Sequence, residues 1–325
     1  MKVLITGAAG FIGSYLAGHC VAAGASVLGI DIHEPEPILS GAAFEYCDVR
    51  DSTRLQELIS KFRPERVFHL AAQSYSTISW DRPRETMDVN AGGTISLFES
   101  LRTLAMKPFV VVACSSAEYG SVPTQDLPIR ESQALCPLHP YGVSKVAEDL
   151  LAARYSANYA IPAIRMRIFN TTGPGKLGDV CSDLAKRAVE IEMGLCPPSL
   201  AVGNLQNRRT IVDVRDLVHA LWWSADRCSA GEVYNLGGDV VYSVEQLIAL
   251  LRAQVDFGFD VHQRPELMRA CDESIVAGDN AKFRSCCVWQ PAIPLADTLR
   301  DMLAWWRLRL AGIVPQLALH ASAHL

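Results

Sequence analysis

The stretch ITGAAGFIG, from Ile5 to Gly13, constrains the fold more than any other part of the chain. It continues a short apolar run that begins at Val3, and Gly7, Gly10 and Gly13 then open the first helix-like segment. A strand that turns this sharply into a helix gathers backbone amides at one point, with no Cβ atoms in the way and the positive end of the helix dipole behind them. That arrangement holds a pyrophosphate, with Phe11 and Ile12 opening the helix between the glycines. The spacing is GxxGxxG rather than GxGxxG, and glycines also serve such turns for steric reasons alone. Their place at the first strand-to-helix turn points to a dinucleotide. Asp31 closes the next apolar run, about 20 residues on, where a carboxylate accepts hydrogen bonds from adenosine ribose hydroxyls. The residues after it, IHEPEP, add Glu34 and Glu36 and no arginine. A 2′-phosphate about 4 Å from Asp31 would be repelled by ~4 kcal/mol per unit charge at an effective dielectric near 20. NAD is therefore expected, with NADP disfavoured.

Val- and Ile-rich runs alternate with amphipathic stretches through the first half, the pattern of βαβ units feeding a parallel sheet. Strands are expected near Lys2–Thr6, Ser26–Ile30, Ala43–Cys47, Arg66–Leu70, Phe109–Cys114 and Ala163–Phe169, with helices near Phe11–Ala23, Ser52–Phe62, Arg84–Leu104 and Pro140–Tyr159. The fold class is α/β, a Rossmann-type doubly wound parallel sheet with a smaller loop-rich α/β lobe for a substrate. Residues 1–170 are expected to form the dinucleotide domain, with a return to it near 211–236, and residues 171–325 the lobe. DVRDLVHALWWSA reads as a helix, and YSVEQLIALLRA as another, with Ser243 as N-cap and Gln246 completing a capping box. LAWWRLRL, from Leu303 to Leu310, is expected to dock its tryptophans on the core rather than lie in a membrane interface.

The 325 residues carry 30 basic and 35 acidic side chains, a net charge of −5, without long blocks of one sign. This gives no footprint for nucleic acid or for an anionic membrane, and a small polar partner is expected. The ten cysteines are scattered, with no CxxC, and read as reduced thiols of a cytoplasmic protein. The chain opens directly on an apolar strand, so no cleaved leader is expected, and no apolar run is long enough for a membrane span. No metal is expected.

The fifth apolar run ends in VVACSSAEYG, and about 26 residues after Ser115 comes PYGVSK. Tyr141 and Lys145 stand at i and i+4, so on a helix they share a face. The spacing alone also fits a solvated pair, but with Ser115 ahead of it at a strand end it makes a Ser–Tyr–Lys site. Hydride transfer to or from an alcohol carbon needs a partner that moves the hydroxyl proton. Tyr141 can do so if its pKa falls from about 10 toward neutrality, helped by the charges of Lys145 and an oxidised nicotinamide. Ser115 would hold the substrate oxygen.

With these motifs, and with DVRD at Asp48, HLAA at His69, FNTTGPG at Phe169 and VGNLQNRRTIVDVRD at Val202, the sequence resembles the extended short-chain dehydrogenase/reductase family that acts on nucleotide sugars. The resemblance implies that Asp48 and Val49 lie near the adenine, that Leu70 and Ala71 line the cofactor, that Asn90 braces the sheet, and that Lys145 also reaches the nicotinamide ribose. It implies a substrate site with Ser116, Asn170, Asn204 and Arg209, a second cation at Arg269, and Asp272 at the nucleotide ribose. It also implies a homodimer through the helices near Arg84–Leu104 and Pro140–Tyr159. GNL at Gly203 followed by Arg209 looks like the branch that handles GDP-sugars, although Thr210 stands where that branch has Asp. Dehydratases of the family place Glu two residues after the Ser or Thr, and here that residue is Ala117. Glu118, its neighbour, is expected to point to the opposite face of an extended segment, as a solvent-facing or structural carboxylate. A reductase of a GDP-6-deoxy-4-keto-hexose is expected. An NAD-dependent epimerase is the alternative, and a nucleotide-sensing binding protein the non-enzymatic one.

Overall fold

Alternation along the first strand, β1 (Lys2–Thr6), decides how the molecule layers. Val3 and Ile5 pack into one core and Leu4 into another, as the two-residue period of a strand requires. A strand buried on both sides needs helices on both faces of its sheet. The structure, a computed structural model describing residues 1–35, 41–268 and 274–313, supplies them. β1 pairs in parallel with β2 (Ser26–Asp31) and, on its other side, with β4 (Arg66–His69). With β3 (Ala43–Tyr46), β5 (Phe109–Ser115), β6 (Ala163–Ile168) and β10 (Val233–Leu236) they form a seven-stranded parallel sheet in the order β10-β6-β5-β4-β1-β2-β3. The six expected strands begin where the sequence predicts and end within one residue of it.

On one face α1 (Phe11–Ala22) and α8 (Val214–Arg227) bury Val3, Ile5, Phe68, Val111 and Met166. On the other, α2 (Ser52–Phe62), α5 (Gly93–Thr103) and α6 (Pro140–Tyr159) cover Leu4, Val67, Val110 and Val112. Each such aliphatic side chain removed from water contributes roughly 1.5–3 kcal/mol. The result is a Rossmann-type doubly wound sheet.

A second set of elements stands beyond the carboxyl ends of β5 and β6. β9 (Arg208–Asp213) pairs with β7 (Asn170–Thr172), β11 (Val241–Ser243) and β13 (Ile275–Val276), while β8 (Ser199–Val202) pairs with β12 (Asp260–Gln263). α7 (Val180–Glu192), α9 (Val244–Arg252) and α11 (Leu295–Leu310) enclose a third core with Leu184, Leu247, Leu299 and Trp306. The tryptophans of α11 thus dock inward, and the expected capping box of Ser243 and Gln246 opens α9. α10 (Ala281–Cys286) sets Phe283 edge-on against Tyr234 of β10. Among the described residues, no helix is long and apolar enough to cross a membrane.

The helix expected over Arg84–Leu104 forms as one helical run from Pro83 to Thr103, widened in the middle by a π-helical turn. α3 (Ser76–Asp81) and α4 (Pro83–Met87) precede a π-helical turn at Asp88–Gly92, after which α5 begins. Pro83 cannot continue the preceding helix. The wide turn carries Asn90 into the interior, where its Oδ1 accepts from Gln73 N at 2.8 Å and its Nδ2 donates to Gln73 O and to Ser144 Oγ at 3.1 and 2.8 Å. Asn90 therefore ties the loop after β4 to α6.

His69, at the end of β4, is fully buried, with Nδ1 2.8 Å from Thr6 Oγ1 and Nε2 3.1 Å from Thr94 Oγ1. Thr94 gives its own proton to Asn90 O at 2.7 Å, which makes it the acceptor from Nε2–H and leaves Nδ1 to accept from Thr6. Burial, and then the Lys145 charge, push the imidazole pKa from 6.5 down to about 3. A base held neutral in the fold but protonated in the unfolded chain adds stability above pH 6.5 that is lost as the pH falls toward 3. Thermal melting followed across that window should show the loss, and His69→Gln should make it shallower.

Candidate active site

Two of the three loop glycines are demanded by the chain's own packing. Gly7 has a φ of +72° and a Cβ there would lie 2.7 Å from Ala71 N, while a Cβ on Gly13 would lie 2.1 Å from Gly7 O. Gly10 differs: its Cβ would meet only Gly7 O, at 3.1 Å. It is the N-cap of α1, no side chain caps that helix, and the amides of the first turn lack intrahelical acceptors. The space above Gly10 is a cradle that a methyl group would fill. Asp31 reaches the same loop, its Oδ2 accepting from Ala9 N at 3.0 Å and its Oδ1 from Ile32 N and His33 N at 2.7 and 3.1 Å. The amides of Leu70 and Ala71 donate to Thr6 Oγ1, which fixes the end of β4 beside Gly7. Asp48 is paired with Arg50, whose hydrogen bonds hold its carboxyl below the usual carboxylate range. Val49 is buried, and a Cβ on Gly93 at the start of α5 would lie 2.6 Å from its Cγ2.

Ser115 is the last residue of β5, and a one-turn 3-10 helix at Ser116–Glu118 follows directly. Its Oγ accepts from Ala117 N at 3.2 Å, and its own N–H donates to Glu118 Oε1 at 2.7 Å. This turn rests on the start of α6, where Gly142 leaves no room for more: a Cβ there would lie 2.7 Å from Ala117 O. His139 caps α6, Nδ1 accepting from Gly142 N at 3.0 Å, and Pro140 occupies the first helical position. Together they present Tyr141 to Ser115, whose hydroxyl favours the phenolate. Lys145 lies one turn further along α6 with its ammonium buried, donating to Ala113 O at 2.8 Å and to Glu148 Oε2 at 2.7 Å. Burial opposes the Lys145 charge, but the Glu148 carboxylate outweighs it and lifts the pKa above its usual value. Ser115, Tyr141 and Lys145 thus come together, as their order in the sequence predicts.

The Tyr141 proton does not follow the sequence reading. Burial raises its pKa above 10, with Lys145 and the Ser115 hydroxyl pulling the other way. The chain's own groups do not bring the phenol toward neutrality, because burial outweighs the pull of Lys145 and Glu148 offsets part of the lysine charge. Glu118 is also a correction. It lies in a 3-10 turn rather than an extended segment, and it is fully buried, the structural carboxylate of the two roles expected. Its carboxyl pKa is well above the usual range because of burial and the nearby Asp149, despite the opposing Arg167. Arg167 Nε stands 3.1 Å from Glu118 Oε2 and 3.0 Å from Asp149 Oδ2. Cys114, Glu118 and Asp149 offer ligand atoms within 4.8 Å of one another, but Arg167 already supplies the positive charge there. Arg167 and Glu148 escaped the sequence reading, although the i,i+3 spacing of Lys145 and Glu148 was there to be read.

Two of the candidate substrate residues, Ser116 and Asn170, follow the same strand ends. Ile168 is the register partner of Ser115, and Asn170 opens β7 two residues later. Asn170 pairs with Ile211 of β9, and Arg209 precedes Ile211 by two residues and so projects to the same face. Arg209 is half-buried and donates to Arg208 O, and Asn170 Nδ2 contacts Thr210 O at 3.4 Å. Thr210 is buried, with an Oγ1 that has no hydrogen-bond partner. Asn204 is exposed and turns its Oδ1 back onto Gln206 N, while Ser116 is half-buried in the turn after β5. Arg269, Asp272 and Glu36 lie outside the described residues.

A doubly wound parallel sheet, a glycine turn at its first strand and a Ser–Tyr–Lys cluster at its carboxyl edge define an enzyme of the extended short-chain dehydrogenase/reductase class. Within that class, the sequence model of the GDP-mannose 4,6 dehydratase family matches residues 4–302, and the chain belongs to this family. The GDP-6-deoxy-D-mannose reductase of Pseudomonas aeruginosa is 28% identical over 95% of this chain and 98% of that protein. A GDP-mannose 4,6-dehydratase of Yersinia enterocolitica is 31% identical over 93% of each chain. The solved structure of RMD from Pseudomonas aeruginosa complexed with NADPH matches with a TM-score of 0.85 and 27% identity, covering 95% of this chain and 99% of that one. Relatives named for two different reactions stand at similar identity, so the reaction is argued from the residues of the site.

Glu118 tests how the site is held. Glu118→Leu would leave the buried Ser115 N–H without its acceptor and remove one of the carboxylates facing Arg167. Urea unfolding should show a loss of about 1–3 kcal/mol, and Glu118→Gln, which keeps an acceptor, a smaller one.

Proposed function

We propose that the protein reduces the C4 ketone of a GDP-6-deoxy-4-keto-hexose. The carrying observation is the Ser115–Tyr141–Lys145 cluster with a methyl group, Ala117, where elimination would need a carboxyl group. Glu118 does not substitute for it, since it is fully buried with Oε1 accepting from Ser115 N and Oε2 3.1 Å from Arg167 Nε. In this reading Ser115 donates a hydrogen bond to the ketone oxygen, Tyr141 passes its phenolic proton to that oxygen, and Lys145 stabilises the phenolate left behind. The raised pKa of Tyr141 suits this direction, which needs the phenol protonated. NAD(P)H, when bound, supplies the hydride. Gly7, Gly10, Phe11, Ile12 and Gly13 would hold its pyrophosphate, Asp31 its adenosine ribose, and Asp48, Val49, Leu70 and Ala71 the adenine side of the cleft. Asn170 and Arg209 would hold the sugar diphosphate, with Ser116 and Asn204 nearby, and the reductase relative supports guanosine as the nucleoside. Arg269 and Asp272 keep their expected roles as a second cation and a ribose contact. A homodimer through α5 and α6 is part of the same reading, supported by exposed Ile95, Val143, Leu150 and Tyr159 on those helices.

Asp31 favours a second reading. A carboxylate at the end of β2 suits NAD(H), whereas the relative of known structure holds NADPH, and an epimerase that oxidises and re-reduces one carbon would use NAD. Product analysis by NMR separates the two. Incubation with GDP-4-keto-6-deoxymannose and NADH should yield the C4 alcohol, and Tyr141→Phe should lower the rate about 10²–10⁴-fold while cofactor binding persists. Interconversion of stereoisomers without added reductant would favour the epimerase, and a 4-keto-6-deoxy sugar formed from GDP-mannose would overturn the reductase reading.

The cofactor cradle gives its own test. In fluorescence titrations NADH should bind more tightly than NADPH, with the margin narrowed by Asp31→Ala. Gly10→Ala should weaken binding of both while the fold survives, whereas Gly13→Ala, with its Cβ 2.1 Å from Gly7 O, should lower the melting temperature itself.

A further inference from the structure

Lys145 does not face Tyr141 with an uncompensated charge. Glu148 lies less than one helical turn further along α6, is fully buried, and places Oε2 2.7 Å from the lysine Nζ. Its other oxygen, Oε1, is buried without a hydrogen-bond partner among the described residues, 3.8 Å from His69 Nε2. That imidazole gives no compensating charge, because it is held neutral and its Nε2–H is turned to Thr94. From the other elements packed around α6, Cys114 of β5 faces the same space as a buried thiol. Asp149, the next residue, is held by Arg165 and Arg167 of β6, and Glu118 by Arg167. Among the described residues, the one cation paired with Glu148 is therefore Lys145.

We propose that Glu148 is a positioning residue that sets the pH at which Tyr141 exchanges its proton, by holding the Lys145 ammonium in place and cancelling part of its charge. The proposal rests on the reading of Tyr141 as the proton donor in ketone reduction. Beyond burial, which raises the phenol pKa most, Lys145 favours the phenolate, while the Glu148 carboxylate and, after it, Glu118 disfavour it. Burial pushes the Glu148 carboxyl up to about 7 even against the pull of Lys145, so it changes charge in the neutral range. Above that range Glu148 is ionised and adds to burial in keeping the phenol protonated, the form that reduction consumes. Below it the lysine acts on the phenol at full charge. Tyr141, Lys145 and Glu148 then titrate as one coupled unit rather than as three independent groups.

Glu148→Gln is nearly isosteric and still offers Lys145 an oxygen, but removes the charge. Tyrosinate absorbance, each protein measured against its own Tyr141→Phe counterpart, isolates the Tyr141 titration without any substrate. The midpoint should move to lower pH by roughly one unit, and the alkaline limb of kcat/KM for ketone reduction should move with it. Glu148→Asp, which keeps the charge but draws it back from the lysine, should move the midpoint the same way by less, and provides the test if the Gln variant does not fold. An unmoved Tyr141 midpoint in the folded variants overturns the proposal, whatever happens to the rate. A moved midpoint in a protein that turns over no nucleotide sugar keeps it and rejects the reductase reading.

Discussion

Arg167 is the interaction on which the arrangement of the site depends. Its guanidinium bonds Asp149 of α6 at 3.0 Å, stands 3.1 Å from Glu118 in the turn after β5, and donates to Tyr119 Oη at 2.9 Å. Tyr119 in turn donates to Asn235 of β10 at 2.6 Å. One cation on β6 thus joins the strand that ends in Ser115, the helix that carries Tyr141 and Lys145, and the edge strand supplied by the later part of the chain. A buried charge is tolerated only when its partners are in place, and removing one partner leaves the rest uncompensated. That penalty favours one relative position of the turn and the helix. The apolar faces of the sheet supply more energy but less direction, since hydrophobic burial is not tied to particular angles.

The glycines act on the same geometry from the steric side. Gly142 lets the turn after β5 lie directly on the first turn of α6, and Gly7 and Gly13 let the first loop close against itself and against Ala71. Gly10 stands apart because nothing in the chain crowds it strongly. A close approach that the protein does not itself use points to a ligand, and the amides of α1 mark that ligand as anionic. Asp31 braces this loop through Ala9 N, so it shapes the cradle as well as facing it.

Much of this was legible in the sequence. β1 and β2, the glycine turn, the capping box of Ser243, and the order of Ser115, Tyr141 and Lys145 are local patterns, and local patterns survive in one dimension. The π-helical turn inside the helix before α5 was not legible. It brings Asn90 to Gln73 and Ser144, which are distant in sequence. Glu118 was only partly legible: its capping-box contact with Ser115 N is local, but the Arg167 guanidinium beside its other oxygen comes from a strand more than 40 residues away.

The sequence by itself determined which residue types sit at the strand ends and in what order, because hydrophobic period, turn chemistry and helix spacing are properties of short segments. Only the tertiary structure decided the charge each of them carries. Burial and partners from separate elements raise Glu148 to about 7, lower His69 to about 3, and keep Tyr141 protonated against the pull of Lys145. A pKa responds to every charge and to the solvent missing within several ångströms, and those neighbours are set by how β4, β5, β6 and α6 come together.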